Sequence, residues 1–334
     1  MNEQGVPSPI VANSSTRVPA VPLTLGQILD RTSQLMRAHW RLFFGIAGVP
    51  AAAVFLFLVA MMSVMLTFIG PQLAGKTALP PHFPPFFAAI IFIAEPLLLV
   101  IYALYLSAAF FAAAQADLGV GVTIRQAYSV ALGRFGRYLW LMILCFLYVI
   151  VPIAVVGAAM GVGILLVHHA TGTVHGPDFP LLLIPLLVLF YLCLMVYSIF
   201  IMLRFAVAYP ASVEENLTAW AALGRSAQLT HGAKWRILLV ILVVYAAAYA
   251  AQFVAMFILF VLAALGALVA MLAHVAVRSA AFYFLVGLGV VAYGLLVLVS
   301  VLVTYSALTT ALALLYHDQR RRIDGQAPAP VHAG

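Results

Sequence analysis

One carboxylate lies inside a run of residues that is otherwise suited to lipid. Glu95 stands in IFIAEPLLLV (91–100), directly before Pro96. About ten helical residues separate it from the nearer end of its apolar run, which places it about 15 Å deep, near the middle of a bilayer. An ionisable group at that depth is typical of a proton path or a substrate site. The competing interpretation is a protonated Glu95 that hydrogen-bonds within a helix bundle or to backbone groups freed by Pro96.

A second group of side chains has the chemistry of a metal site. Three imidazoles and a carboxylate share the segment HHATGTVHGPDF (168–179), namely His168, His169, His175 and Asp178. Such ligands can hold zinc or copper. Their spacing matches no standard metal motif, and the segment also contains glycine and proline, so polar loop residues are the simpler interpretation. We therefore predict no metal and no cofactor.

The elements that position these groups follow from composition. The chain has 334 residues, of which 66% are hydrophobic and only 7% are charged. A soluble domain normally keeps about a quarter of its residues charged. Unbroken apolar stretches such as 55–69 lack the alternation of barrel strands and are typical of helices in lipid. The sequence predicts an all-α, polytopic helical membrane protein.

Six apolar runs are long enough to be transmembrane helices. We place them at about 42–69, 86–115, 138–167, 181–212, 237–272 and 280–316. Of the 16 lysines and arginines, all but Lys76 and Arg278 fall on one side of this arrangement. The positive-inside rule assigns that side to the cytoplasm, so both termini are expected there. Residues 1–23 have no apolar core and are expected to form a flexible arm; 24–317 form the membrane domain and 318–334 a cytoplasmic tail.

An internal repeat is expected within the membrane domain. TLGQILDRTSQLMRAHWRLFF (24–44), TIRQAYSVALGRFGRYLWLMI (123–143) and TAWAALGRSAQLTHGAKWRIL (218–238) can be aligned from their first threonine. Each has the 3.6-residue period of an amphipathic helix and precedes two apolar runs. We expect three parallel repeats of an interfacial helix plus a hairpin, at about 24–115, 123–212 and 218–316. The alternative is that these segments are ordinary polar connectors.

Basic and aromatic residues in these segments are predicted to anchor the protein at lipid headgroups. They are Arg31, Arg37, Trp40, Arg41, Arg125, Arg134, Arg137, Arg225, Lys234, Trp235 and Arg236. The net charge of +7 is assigned to anionic headgroups on the cytoplasmic side rather than to nucleic acid, because the basic residues are scattered over separate segments and match no nucleic-acid-binding motif.

Two stretches resemble a known family. LGRSAQLTHGAKWRI (223–237) resembles the Arg-Ser, Leu-Thr-x-Gly, Trp-Arg segment of the bacterial glycerophosphoryl diester phosphodiesterase membrane-domain family and its multi-pass relatives. LLYHDQRRRIDG (314–325) resembles the closing pattern of that family through Tyr316, Asp318, Arg320 and Arg322, with Asp324 before the final glycine. The resemblance implies a bacterial inner-membrane protein. It does not imply the phosphodiesterase reaction, which in those enzymes belongs to an appended soluble domain.

The sequence thus favours a non-enzymatic role. No glycine-rich phosphate loop, paired catalytic carboxylates or nucleophile–base pair is recognisable. We expect an integral inner-membrane protein that organises lipid or partner proteins, which can be membrane or cytoplasmic. The alternative is a small-solute transporter or channel in which Glu95 faces a central groove, together with tyrosines such as Tyr102, Tyr191 or Tyr293.

Overall fold

The fold is helical throughout the residues that the computed structural model describes, which are 23–73, 83–171, 179–272 and 280–324. No strand occurs within these ranges. The helices are α1 (Leu25–Ala38), α2 (Trp40–Leu73), α3 (Phe83–Asp117), α4 (Ile124–Gly133), α5 (Phe135–Thr171), α6 (Phe179–Phe205), α7 (Ala208–Glu214), α8 (Ala219–Thr230), α9 (Lys234–Leu272) and α10 (Ala280–Asp324). The predicted all-α class is confirmed.

Six of these helices are long and apolar enough to cross a membrane. Their qualifying segments are Trp40–Met61, Phe92–Asp117, Phe135–Gly163, Leu187–Glu214, Lys234–Val269 and Gly287–Asp324. Each overlaps one of the six predicted apolar runs, so the polytopic helical arrangement is confirmed. The last helix continues past the boundary predicted at residue 317 and ends at Asp324.

A short helix precedes each pair of long helices, and a threonine stands at the N-cap of each: Thr24 for α1, Thr123 for α4 and Thr218 for α8. Thr24 and Thr123 form capping boxes with Gln27 and Gln126, which satisfy backbone N–H groups of the first turn. This order of elements is the one that the expected repeat requires. The symmetry among the three units stays a prediction.

The apolar faces of the short helices lie against the rest of the protein. α1 packs against α2, α9 and α10, and α8 packs against α5, α6, α7 and α10. Ile28 of α1 and Leu229 of α8 are completely buried. Because the ends of several long helices meet here, the short helices cover apolar surface of the protein itself. Their predicted place along a lipid interface stays a prediction.

The helix bundle has two contrasting regions. We name one of them the charged end: it comprises the four short helices α1, α4, α7 and α8, the first turns of α2, α5 and α9, and the last turns of α3, α6 and α10. The hydrophobic core lies here and in the adjoining turns, with alanine-rich runs at 108–116 of α3 and 311–313 of α10 completely or almost completely buried. Small residues allow such close approach. The remaining parts of the long helices form the apolar half, where large side chains such as Phe253 (74% exposed) face outward.

Candidate functional site

Buried ionisable side chains meet at the charged end. His317 of α10 stands between Asp117, at the end of α3, and Glu214, at the end of α7. Its Nδ1 lies 3.3 Å from the Asp117 carboxylate and its Nε2 lies 2.6 Å from that of Glu214. All three side chains are 3% exposed. With a carboxylate on each ring nitrogen, the hydrogen-bonding pattern is complete when both nitrogens carry a proton.

Two arginines extend this arrangement. The Arg31 guanidinium of α1 donates to Asp117 at 2.6 Å. Arg320 of α10 lies 4.0 Å from a Glu214 oxygen and 3.6 Å from a Glu215 oxygen. Arg320 of α10 therefore contacts both neighbouring carboxylates, Glu214 at the end of α7 and Glu215 at its C-cap.

Glu215 also contacts α8, the short helix that precedes α9. The Tyr316 hydroxyl donates to it at 2.7 Å, and Arg225 of α8 donates to both its oxygens at 3.2 Å. Arg225 also pairs with Asp324 in the last turn of α10. Partial burial lowers the pKa of the Arg225 guanidinium, but the hydrogen bonds from Arg225 to Asp324 and Glu215 outweigh burial, and the pKa is raised above its ordinary value.

Asp318 joins the beginning of the described chain to its end. The backbone N–H of Leu23 donates to its carboxylate at 2.6 Å, Arg236 of α9 donates at 2.5 Å, and Arg322 donates at 2.8 Å. Both arginines also donate to the Leu23 carbonyl oxygen. The Asp318 side chain is 1% exposed. The residue that ends the predicted flexible arm is thus fixed in place, and both ends of the described chain lie at the same end of the bundle.

These contacts form two groups, one around His317 and Glu215 and one around Asp318, the residue after His317; we name them together the ion-pair network. It comprises Arg31, Asp117, Glu214, Glu215, Arg225, Arg236, Tyr316, His317, Asp318, Arg320, Arg322 and Asp324. Buried charges are costly to leave unpaired, so their mutual contacts fix which helices are neighbours. Within the part of the chain that the structure describes, no group of three or more His, Cys, Asp or Glu is arranged to hold a metal ion. His175 and Asp178, from the metal-site candidate, lie outside the described residues.

The structure places the predicted headgroup anchors in different surroundings. Arg31, Arg225 and Arg236 belong to the ion-pair network, and their proposed contact with lipid stays a prediction. Arg137 donates to the Asn216 side chain at 2.5 Å. Lys234 lies 3.8 Å from the centroid of the Phe200 ring. The exposed anchors are Arg37, Trp40, Arg41, Arg125 and Trp235, and Arg134 is half-buried.

The four residues of the C-terminal family pattern all take part in the network. Tyr316 and Asp318 are buried, while Arg320 and Arg322 reach Glu214, Glu215 and Asp318. The structure thus gives the pattern a packing role in this chain. In the other segment that resembles the family, 223–237, Gly232 has a φ of +79°, which lies in the left-handed region that favours glycine. This glycine forms the turn between α8 and α9.

Glu95 is exposed on α3, and none of the described residues hydrogen-bonds to it. It precedes Tyr102 by seven residues, or about two helical turns, which puts both on the same side of α3. Tyr102 lines a central cavity, whereas Glu95 is not among the walls of that cavity. The functional role of Glu95 stays a prediction.

The residues that sequence reasoning missed are Asp117, Glu214, Glu215 and His317. A signal was available, because the chain's carboxylates recur where the second, fourth and sixth apolar runs end. Those ends must lie on the same side as the basic segments if the helices alternate in direction. The positive-inside rule counts only basic residues, so it does not show that carboxylates lie on the same side and can pair with them.

No protein-family model matches this chain, and neither a curated protein nor a solved structure is significantly similar to it. The resemblance to the phosphodiesterase membrane-domain family therefore stays a prediction.

Proposed function

We propose that this protein is a non-enzymatic integral membrane protein that organises anionic lipid, and through it partner proteins, at the cytoplasmic face of the bacterial inner membrane. The observation that carries the proposal is the position of the tryptophans. All four of the chain lie at the charged end or in the helical turn next to it, each within the first six residues of a helix: Trp40, Trp140, Trp220 and Trp235. They are 47–79% exposed. Tryptophan at this density on one level is typical of the headgroup region.

The charges around these tryptophans support anionic lipid as the ligand. Five carboxylates of the charged end are turned into the ion-pair network, while Arg37, Arg41 and Arg125 are exposed and pair with no carboxylate among the described residues. The exposed surface of the charged end, which we call the rim, is therefore basic, although acidic residues are close by. Juxtamembrane arginine and lysine attract anionic headgroups by about 1 kcal/mol each.

A recess in this rim has the composition of a headgroup site. A cavity of about 600 Å³ lies between the α1–α2 junction and the start of α4. Its walls include His39, Trp40 and Arg41 on one side, with Thr123 and Ile124 on the other, and no carboxylate of the described ranges lines it. The Arg41 guanidinium lies 5.3 Å from the centroid of the Trp40 ring. A phosphate placed beside Arg41 would meet no carboxylate among the described walls of this cavity.

The test measures lipid preference with the full chain reconstituted in vesicles of phosphatidylcholine and brominated phosphatidylglycerol. Bromine quenches tryptophan fluorescence on contact, so enrichment of the anionic lipid quenches more than its bulk fraction predicts. For Arg41→Gln with Arg125→Gln we expect the enrichment to fall by about fivefold per residue. The matched control is Lys76→Gln, a charge change that the sequence places on the opposite side. Quenching by brominated phosphatidylglycerol no stronger than by brominated phosphatidylcholine would contradict the proposal.

Solute transport is the second candidate, and the observation in its favour is that Glu95 and Tyr102 share one side of α3. In that case Glu95 faces a hydrated groove that continues from the central cavity. The test is Glu95→Gln, followed by folding and by proton or solute flux into vesicles loaded with a pH-sensitive dye. A folded Glu95→Gln protein with unchanged flux and unchanged cellular phenotype would remove the functional claim for Glu95.

A further inference from the structure

A cavity of about 310 Å³ lies at the centre of the bundle, at the junction of α3, α5, α6, α7, α9 and α10. Its walls are apolar except for a sulfhydryl, one threonine and the tyrosines Tyr102, Tyr105, Tyr209, Tyr245 and Tyr305. Among the described residues, no Asp, Glu, Lys, Arg or His lines it. Apolar walls with a few hydroxyls suit a neutral, largely apolar ligand, because a charged ligand would lose its hydration without gaining a counter-charge.

Most of the tyrosine hydroxyls in this cavity have no hydrogen-bond partner among the described residues. The exception is Tyr209, which donates to the Tyr138 carbonyl oxygen at 3.0 Å. The Tyr105 hydroxyl is enclosed and, within the described chain, hydrogen-bonds to nothing. The Thr309 hydroxyl, which also lines the cavity, donates to backbone carbonyl oxygens of its own helix at 2.9 and 3.2 Å.

The rings of Tyr102, Tyr105 and Tyr305 form a triangle with centroids 5.8–6.0 Å apart. No described residue hydrogen-bonds to the hydroxyls of Tyr102, Tyr245 or Tyr305 either. A hydroxyl without a partner in apolar surroundings is unfavourable by about 1–3 kcal/mol. The cavity therefore has several tyrosine O–H groups in its walls that have no acceptor within the described part of the chain.

The exposure of the walls shows where the cavity opens. Toward the charged end its floor is closed by Phe110, Tyr209 and Leu312, which are 3%, 6% and 8% exposed. Toward the apolar half its walls are the half-buried Tyr102 and Tyr245. The cavity is therefore more enclosed at this floor than at its other walls, among which Met202 of α6 is 47% exposed.

From these observations we propose that the cavity binds the carbonyl end of a neutral membrane lipid. The carbonyl oxygen accepts from the tyrosine hydroxyls, and the apolar remainder of the lipid extends between the helices of the apolar half. A volume of about 310 Å³ is at the lower end for ligand sites, which fits one ring or one ester group rather than a whole lipid. A lipid quinone and a diacylglycerol share this chemistry. The proposal does not depend on the anionic-lipid function argued above.

Native mass spectrometry of the full chain tests the proposal. The protein is released from micelles that contain ubiquinone-1, dioctanoylglycerol or hexadecane, and the number and affinity of bound molecules are read from the masses. We expect one molecule of ubiquinone-1 or dioctanoylglycerol per chain, and weak binding of hexadecane. Whichever of ubiquinone-1 and dioctanoylglycerol binds more tightly identifies the class of lipid that supplies the carbonyl group.

Variants assign the binding to the cavity. Tyr105→Phe and Tyr305→Phe keep the rings and remove the donors, and each lowers the affinity by up to about tenfold, the effect of one hydrogen bond. Ala206→Phe fills the cavity and abolishes binding. The matched control is Tyr128→Phe, whose hydroxyl donates to the Ile46 carbonyl oxygen outside the cavity, and it leaves the affinity unchanged. Binding of hexadecane as tight as that of the carbonyl ligands, wild-type affinity in both tyrosine variants, or no bound lipid in any arm would overturn the proposal.

Discussion

The charged end and the apolar half are formed by the same long helices but are held by different interactions. At the charged end, carboxylates such as Asp117 and Asp318 are at most 3% exposed and each pairs with cations from two other helices or helix turns. In the apolar half, side chains such as Phe253 and Phe260 are 74% and 70% exposed. Charge and close packing are therefore concentrated in one region, and apolar surface is exposed in the other.

The difference shows which region determines the arrangement of the helices. Apolar side chains gain little by moving from lipid to another helix, because lipid tails are equally apolar. Paired charges and small-residue contacts do discriminate between neighbours, because a misplaced partner leaves a buried charge unpaired. We therefore expect the charged end to account for most of the stability, with the apolar half adapting to lipid or to a bound molecule.

The largest expected effect comes from Asp318→Asn. The substitution preserves the size of the side chain and leaves Arg236 and Arg322 without their carboxylate at a buried position. Breaking a buried pair lowers the free energy of unfolding by about 3–5 kcal/mol. The measurement is unfolding by sodium dodecyl sulfate in micelles. Asp30→Asn, at an exposed position of α1, is the control and changes stability by less than about 0.5 kcal/mol. Equal effects of the two would mean that the network does not hold the charged end together.

Much of this arrangement could be predicted from the sequence, and the limits have a physical cause. The six spans follow from runs of apolar residues, because each run must satisfy its backbone alone in lipid. The threonines aligned in the sequence are the N-caps of the short helices. The partner of Arg31 was missed because pairing with Asp117 depends on which helices are neighbours, and neither spacing nor periodicity contains that information. For the same reason Arg236 was predicted to contact lipid, whereas it also binds Asp318.

A smaller effect is expected from paired truncations in the two regions. Phe43 at the charged end is 2% exposed, whereas Phe253 in the apolar half is 74% exposed. Phe43→Ala leaves a cavity in a packed region and lowers the free energy of unfolding by about 3 kcal/mol, the lower end for core phenylalanines. Phe253→Ala exchanges one lipid contact for another and has an effect within about 0.5 kcal/mol. Both are measured by the same detergent titration. A comparable loss for Phe253→Ala would indicate that a second copy or a partner covers the apolar half.

The smallest and most closely matched comparison uses two tyrosines with the same chemistry. The Tyr128 hydroxyl donates to the Ile46 carbonyl oxygen at the charged end, and the Tyr197 hydroxyl donates to the Tyr148 carbonyl oxygen in the apolar half, both at 2.8 Å. We expect Tyr128→Phe to lower the free energy of unfolding by about 1 kcal/mol, since it removes one hydrogen bond between packed helices. Tyr197→Phe should lower it by only a few tenths of a kcal/mol, because α5 and α6 can separate slightly and the freed carbonyl keeps its helical partner. Hydrogen exchange of the α4 and α6 amides reports where each change acts. Suppose that both substitutions lower the free energy of unfolding equally and increase exchange equally close to the substituted residue. The apolar half would then be as firmly fixed as the charged end, which would contradict the expected difference between the two regions.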